Sequence, residues 1–181
     1  MKFIGLICLL FSLSCVDPKV TYMSESKEIH AAMRLLWKDN PESLRILKAA
    51  HAKGVHLKIK MGDLKGATLG TTHVTQDSAV VTIDVGNINQ VQDNVVPVLA
   101  HEIFHIRDAF LVMGPEAFMA AVAKDKNEPW NYRTVEIMAI KSEDELRLRL
   151  LTQNPRAYRG MCLTRADANR RAGIFAPGFL R

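Results

Sequence analysis

The stretch that decides the fold is Val95-Val-Pro-Val-Leu-Ala-His-Glu-Ile-Phe-His-Ile-Arg-Asp-Ala-Phe-Leu-Val-Met113. Within it His101, Glu102 and His105 form an H-E-x-x-H. In a helix, residues i and i+4 share one face a turn apart, so both imidazoles can reach a single cation. Glu102 stands beside the first of them, where its carboxylate can hold a water at that cation without ligating it. Local signals predict the helix itself. Asp93 or Asn94 can cap its start, Pro97 falls in the first turn where a missing N–H costs little, and Gly114-Pro115 is a stop signal. Apolar residues flank the motif on both sides, as expected of a helix buried through a core.

A catalytic zinc site needs a third protein ligand and an open position. The motif in this context resembles the zincin superfamily of metallopeptidases. One branch of that superfamily places a third histidine six residues after the second, but Leu111 stands there, and Asp108 stands where that branch has glycine. The gluzincin-like branch takes a glutamate from a later helix. Here the resemblance implies Glu136, with Glu143 as the next choice. Glu136 lies between Val135 and Ile137-Met138, an apolar setting that is costly for an acid without a partner. Glu143-Asp144-Glu145 reads instead as a solvated, charged face. The resemblance thus implies a Zn2+ site of His101, His105 and Glu136, with Glu102 as the general base that activates water against a peptide bond. The thermolysin-like branch also has an aspartate four residues after the ligand glutamate, where Ile140 stands here. Asp108 is a candidate either for a hydrogen bond to a ring nitrogen or for a plain salt bridge. Tyr132, Tyr158, Arg133 and His73 are candidates to stabilise the oxyanion.

The chain has 181 residues, enough for one domain with a core, and 48% hydrophobic with 24% charged residues is ordinary globular composition. A net charge of +5, spread along the chain, is weak support for nucleic-acid binding, and no nucleic-acid partner is expected. The partner expected is a peptide or protein substrate. Met1-Lys2 followed by the apolar run Phe3 to Leu13 has the form of an export signal and is too short to span a bilayer. Cys15 after Phe11-Ser12-Leu13-Ser14 resembles a bacterial lipoprotein box, with Ser12 where leucine is usual. The resemblance implies an exported protein of a bacterial envelope, lipid-anchored at Cys15; an ordinary secretory signal is the competing reading. Cys8 goes with the signal, and Cys162 is then a lone thiol or, if Cys15 is retained unmodified, a disulfide partner for it.

The expected organisation is a signal over 1–15, a linker over 16–24, a zincin-like domain over 25–155 and a helical extension over 156–181. Ser24 or Ser26 can cap a first helix with Ile29, Met33, Leu36 and Trp37 on one side, and Asn40-Pro41 starts a second with Leu44, Leu47 and Ala50. His30 and His51 on these helices read as ordinary surface or core residues. Alternation from Val55 to Met61 predicts a strand, Ala67 to Val74 a weaker one and Ala79 to Val85 a stronger one ended by Gly86-Asn87. Pro115 to Ala123 predicts a short helix, followed by a charged loop. Asn131 or Thr134 begins a longer helix broken at Asn154-Pro155, and Thr164 to Ala172 a last one. The fold class expected is α+β, a small zincin-like domain with helices on a twisted sheet whose edge strand lines the cleft. A zinc peptidase is the leading function; the alternatives are a cell-wall peptide amidase using the same site and a zincin-shaped envelope lipoprotein without turnover.

Overall fold

Ser26 opens the first helix, accepting a hydrogen bond from the Ile29 amide at 3.3 Å. The computed structural model describes residues 26–66, 68–128 and 133–171. The expected signal and linker, Cys8, Cys15, Ala67, Asn131, Tyr132 and the tail beyond Arg171 lie outside these residues. Helix α1 runs Lys27–Asp39 and buries Ile29, Ala32, Met33 and Leu36, the i, i+3, i+4, i+7 face of an amphipathic helix. Helix α2, Pro41–Ala52, follows at once, with Pro41 in its first turn and Gly54 closing the chain beyond it at a φ of 83°. Its buried face is Ser43, Ile46, Leu47 and Ala50.

Three strands follow. β1 (His56–Met61), β2 (Gly70–Val74) and β3 (Ser78–Ile83) form one sheet in the order β1-β3-β2. β1 runs parallel to β3, whereas β2 returns antiparallel and forms an edge, with Gly70 opposite Ile83 and Val74 opposite Ala79. Leu57, Ile59, Ala79, Val81 and Ile83 turn into the core, as their alternation predicts. Met61 does not, being 43% exposed. The third strand ends two residues earlier than expected. Asp84 leaves the sheet and caps helix α3 (Val85–Gln90), accepting from the Asn87 amide at 2.8 Å. Gly86-Asn87 therefore lies inside a short helix and does not mark a plain turn.

Helix α4, Val95–Arg107, is capped by Asn94, whose side chain accepts from the Val96 amide at 2.9 Å. Every residue from Val96 to Ile106 is buried. The helix packs on α1, α2 and β2 and on α6 (Thr134–Gln153), so it runs through the middle of the fold. Beyond Arg107 the expected α-helix widens into π-helical turns over Asp108–Met113, ended by Gly114 at a φ of 90°. The Lys53 ammonium holds the Phe110 carbonyl there at 2.9 Å. Helix α5 (Pro115–Asp125) buries Phe118, and its last residue, Asp125, accepts from the Thr134 amide and so caps α6. Asn154 ends α6.

Residues 154–171, after α6, pack into the same core. Tyr158, Met161, Cys162 and Ala168 are all buried in it, the last on helix α7, Arg165–Arg171. Cys162 carries a free thiol, and burial and then Asp93 push its pKa up to about 11, so it is protonated and unreactive at neutral pH. The described residues thus form an α+β fold of seven helices packed on a small mixed sheet. Among them, no helix is long and apolar enough to cross a membrane.

One buried arginine ties the helices together. Arg147 of α6 is fully buried and meets Asp93, just ahead of α4, through two hydrogen bonds of 2.8 Å. It also binds Glu143 at 2.6 and 2.9 Å and the Cys162 carbonyl at 3.0 Å. Removing one member of a buried ion-pair network leaves the others uncompensated. Arg147→Met, which keeps the bulk and deletes the charge, is therefore expected to lose about 3–5 kcal/mol of stability. Urea unfolding of the two proteins checks this.

Candidate metal centre

Helical spacing does what the motif requires. His101 and His105 lie one turn apart on α4, and their Nε2 atoms are 3.2 Å from each other. Glu136, in the first turn of α6, brings Oε2 to 3.0 Å from His101 Nε2 and 3.6 Å from His105 Nε2. Ala139, fully buried one turn further along α6, is small enough for the two helices to approach this closely. These three side chains could hold a metal ion. Glu136 reaches the histidines for a reason other than apolar surroundings. Its neighbours Ile137 and Met138 are 50% and 49% exposed, and only Val135 beside it is buried.

Glu143 is not on a solvated face. It is fully buried, and its Oε2 lies 2.8 Å from Nδ1 of His101, on the ring edge away from Glu136. The two glutamates expected to compete for one role thus occupy opposite sides of one imidazole. Burial alone would keep the Glu143 carboxyl neutral, but Arg165 and Arg147 outweigh it and hold the pKa well below the ordinary carboxylate range. Its ring contact fixes the imidazole with Nε2 turned toward Glu136 and His105, as a carboxylate behind a metal-ligating histidine would. Sequence reading missed this because Asp93, Arg147 and Arg165, which make the burial tolerable, are scattered along the chain. Of the other two acids in that cluster, Asp144 accepts from the Arg165 amide at 2.6 Å and Glu145 is exposed.

Asp108 takes the salt-bridge role. It receives Arg107 at 2.7 and 2.8 Å, while His105 Nδ1 meets no hydrogen-bond partner among the described residues. Tyr158 faces away from the site and donates to Asp39 at 2.6 Å. His73 is exposed on β2 and does not line the cleft. Arg133 does line it, with its guanidinium donating to the Glu128 and Lys126 carbonyls.

The cleft over the site holds about 340 Å³. Edge strand β2 forms one wall with Gly70, Thr71 and Thr72, and Phe118, Val122 and Val135 form an apolar one. Arg165 and Asn169 of α7 also reach it, two residues that no local signal in the sequence marks. Glu102 opens onto this cleft, with Oε2 accepting from the Thr72 hydroxyl at 2.8 Å.

Electrostatics follow from this packing. Burial opposes a charge on His101, but the Glu136 and Glu143 carboxylates outweigh it and push its pKa up to about 9. Burial likewise opposes ionisation of Glu136, and the two histidines outweigh that, holding its carboxyl well below the usual range. Without a cation, the two carboxylates thus favour a protonated His101. Comparison with family models, with curated proteins and with solved structures finds no match to this chain.

Two outcomes are expected. Because Glu136 is the one anionic donor among the three candidate ligands, Glu136→Gln should nearly abolish metal retention, and Glu143→Gln, which frees the His101 ring, should weaken it by about 10–100-fold. Metal titration of the three proteins, with unfolding monitored in parallel, checks the order. The second concerns the metal-free protein. Its His101 pKa is raised from 6.5 to about 9, so the stability this gives is whole below pH 6.5 and lost as pH rises through 9. Chelator-treated protein should lose on the order of 3 kcal/mol over that window, and His101→Gln should flatten the dependence.

Proposed function

We propose that this chain is a zinc-dependent peptidase of the gluzincin-like kind, with His101, His105 and Glu136 as ligands and Glu102 as general base. The observation that carries the reading is the triangle of donor atoms, with sides of 3.0, 3.2 and 3.6 Å. Ligands about 2.0–2.1 Å from a tetrahedral zinc stand roughly 3.3 Å apart, so the triangle has the dimensions of one face of such a site. Two imidazoles and one carboxylate are also the donor set of catalytic zinc peptidase sites, whereas closed structural sites are mostly rich in cysteine. Among the described residues no fourth donor joins these three, and Glu102 lines the cleft beside them.

Zinc, when bound, supplies Lewis-acid polarisation of the scissile carbonyl and a water acidic enough to lose a proton near neutral pH. The chain's residues do the rest. Glu102 accepts the proton of the attacking water and passes it to the leaving amine. Glu143 holds the His101 ring in register. Of the expected oxyanion group, Arg133 is the member that lines the cleft among the described residues.

The sheet supports a peptide as the substrate. A sheet edge recruits an extended chain through its unpaired main-chain groups. β1, one edge, exposes Lys58 and Lys60, charges that discourage strand addition. β2, the edge in the cleft, carries no acid, lysine or arginine between Gly70 and Val74. We further infer, from the sequence of the first 15 residues, that the protein is exported and anchored at Cys15 to a bacterial envelope. Cell-wall peptides therefore belong in any substrate panel beside unfolded proteins.

Glu102→Gln keeps size and most hydrogen bonding and removes the base. It is expected to retain zinc and to lose hydrolysis of denatured casein or cell-wall peptides by on the order of a hundredfold or more. Equal turnover by wild type and variant would overturn the role of Glu102. A zinc-loaded wild type inert to the whole panel would favour a binding protein without turnover.

A further inference from the structure

We propose that edge strand β2 is the positioning element for Glu102: the Thr72 hydroxyl holds its carboxylate, and Gly70 supplies the space it fills. The proposal rests on the peptidase reading only for its consequence in turnover. The contact itself is a separate matter and can be tested separately.

Glu102 is 2% exposed, so a carboxylate there needs a donor. Its neighbours along α4 are apolar or are the site histidines. The donor comes from β2, which packs on α4. Thr72 Oγ1 lies 2.8 Å from Glu102 Oε2 and 3.0 Å from the Glu102 carbonyl. The hydroxyl has one proton for both, and the charged, closer oxygen is the stronger acceptor. A hydroxyl donor steadies the carboxylate without placing a charge beside it, as an arginine or lysine partner would.

Gly70 explains the other half. Its φ is not positive, unlike that of Gly54, Gly66, Gly114 and Gly160, so backbone freedom is not what the position requires. What it requires is the absence of a side chain. A Cβ at Gly70 would stand 2.9 Å from Glu102 Oε1, 3.0 Å from its Cγ and 3.1 Å from Val98 Cγ1. The strand has its gap opposite the carboxylate and its hydroxyl two residues on, on the same side of the strand, where period-two alternation places it. The strand offered to a substrate is thereby the one that sets the base facing that substrate.

The test uses full-length, zinc-loaded protein with Thr72→Val, Thr72→Ser and Gly70→Ala, each alone and combined with Glu102→Ala. Thermal midpoints come first. If Glu102 is what Gly70 makes room for, Gly70→Ala should cost far less in the Glu102→Ala background. The Thr72→Val pair should likewise be non-additive by about 3 °C. Additive losses in both pairs overturn the proposal. Kinetics on denatured casein or cell-wall peptides come second. Thr72→Val should lower kcat between about 10-fold and 100-fold with KM and zinc content unchanged, and Thr72→Ser should restore most of it. A Thr72→Val protein with wild-type kcat overturns the positioning role even if the midpoints are coupled. A wild type without turnover sinks the peptidase reading, and the midpoints then still decide whether β2 holds Glu102.

Discussion

Burying an imidazole between two carboxylates is the constraint on which the rest of this structure depends. His101 is 1% exposed, and it lies between a carboxylate on Nε2 and another on Nδ1. Carboxylates taken out of water are costly unless paired and hydrogen-bonded. Glu143 is paired with Arg147 and Arg165, and Arg147 in turn with Asp93. Counted with His101 protonated, this cluster has three positive groups and, with Glu136, three negative ones. The balance explains why a strip of α6 that buries Val135, Ala139, Leu146 and Leu150 can also bury Glu143 and Arg147. It also explains why the described residues after α6 belong to the core. The Cys162 main chain and Arg165 both contribute to the network, and α7 comes to line the cleft as a result.

What was legible in the sequence is what depends on near neighbours. The caps at Ser26 and Asn94, the proline starts at Pro41 and Pro115, the Gly114 stop and the alternation in β1 are each decided within a few residues. The spacing of His101 and His105 is of the same kind, since helix geometry alone brings their nitrogens together. Two local signals were outweighed. Asp84 reads as the end of a strand but its side chain also accepts the Leu64 amide at 2.7 Å, and that second partner pulls it out of the sheet to cap α3. Past Arg107 the expected α-helix gives way to π-helical turns, for which no residue pattern in Asp108–Met113 speaks.

Glu143 shows where local reading runs out. In Ser-Glu-Asp-Glu the three acids have the same composition around them, and only the helix face tells them apart. Which face is buried depends on partners 4, 22 and, for Asp93 through Arg147, 54 residues away. Apolar neighbours were likewise a poor guide at Glu136, because Ile137 and Met138 turn outward while the acid turns in. Periodicity relative to Ala139 and Leu146, which both face the core, separates Glu136 and Glu143 from Asp144 and Glu145. Residues 136, 139, 143, 146, 147 and 150 form a stripe of three- and four-residue steps. The stripe runs through acids, and a hydrophobicity count passes over it for that reason.

The same arrangement bears on how the site and the fold depend on each other. His101 and His105 come from α4 and Glu136 from α6, so a cation bound by all three joins the two helices. Binding energy of that kind adds to folding energy. Small metal-folded domains depend on it wholly, because their ligands have no core behind them. Here the helices are already joined on the far side of His101, where Arg147 spans Asp93 and Glu143. The core around α4 is apolar from Val96 to Leu99 and again at Ile103 and Phe104. A cation is therefore not needed to hold α4 against α6. What the protein spends on burying Glu143 and Arg147 secures a His101 ring that is oriented before any cation arrives.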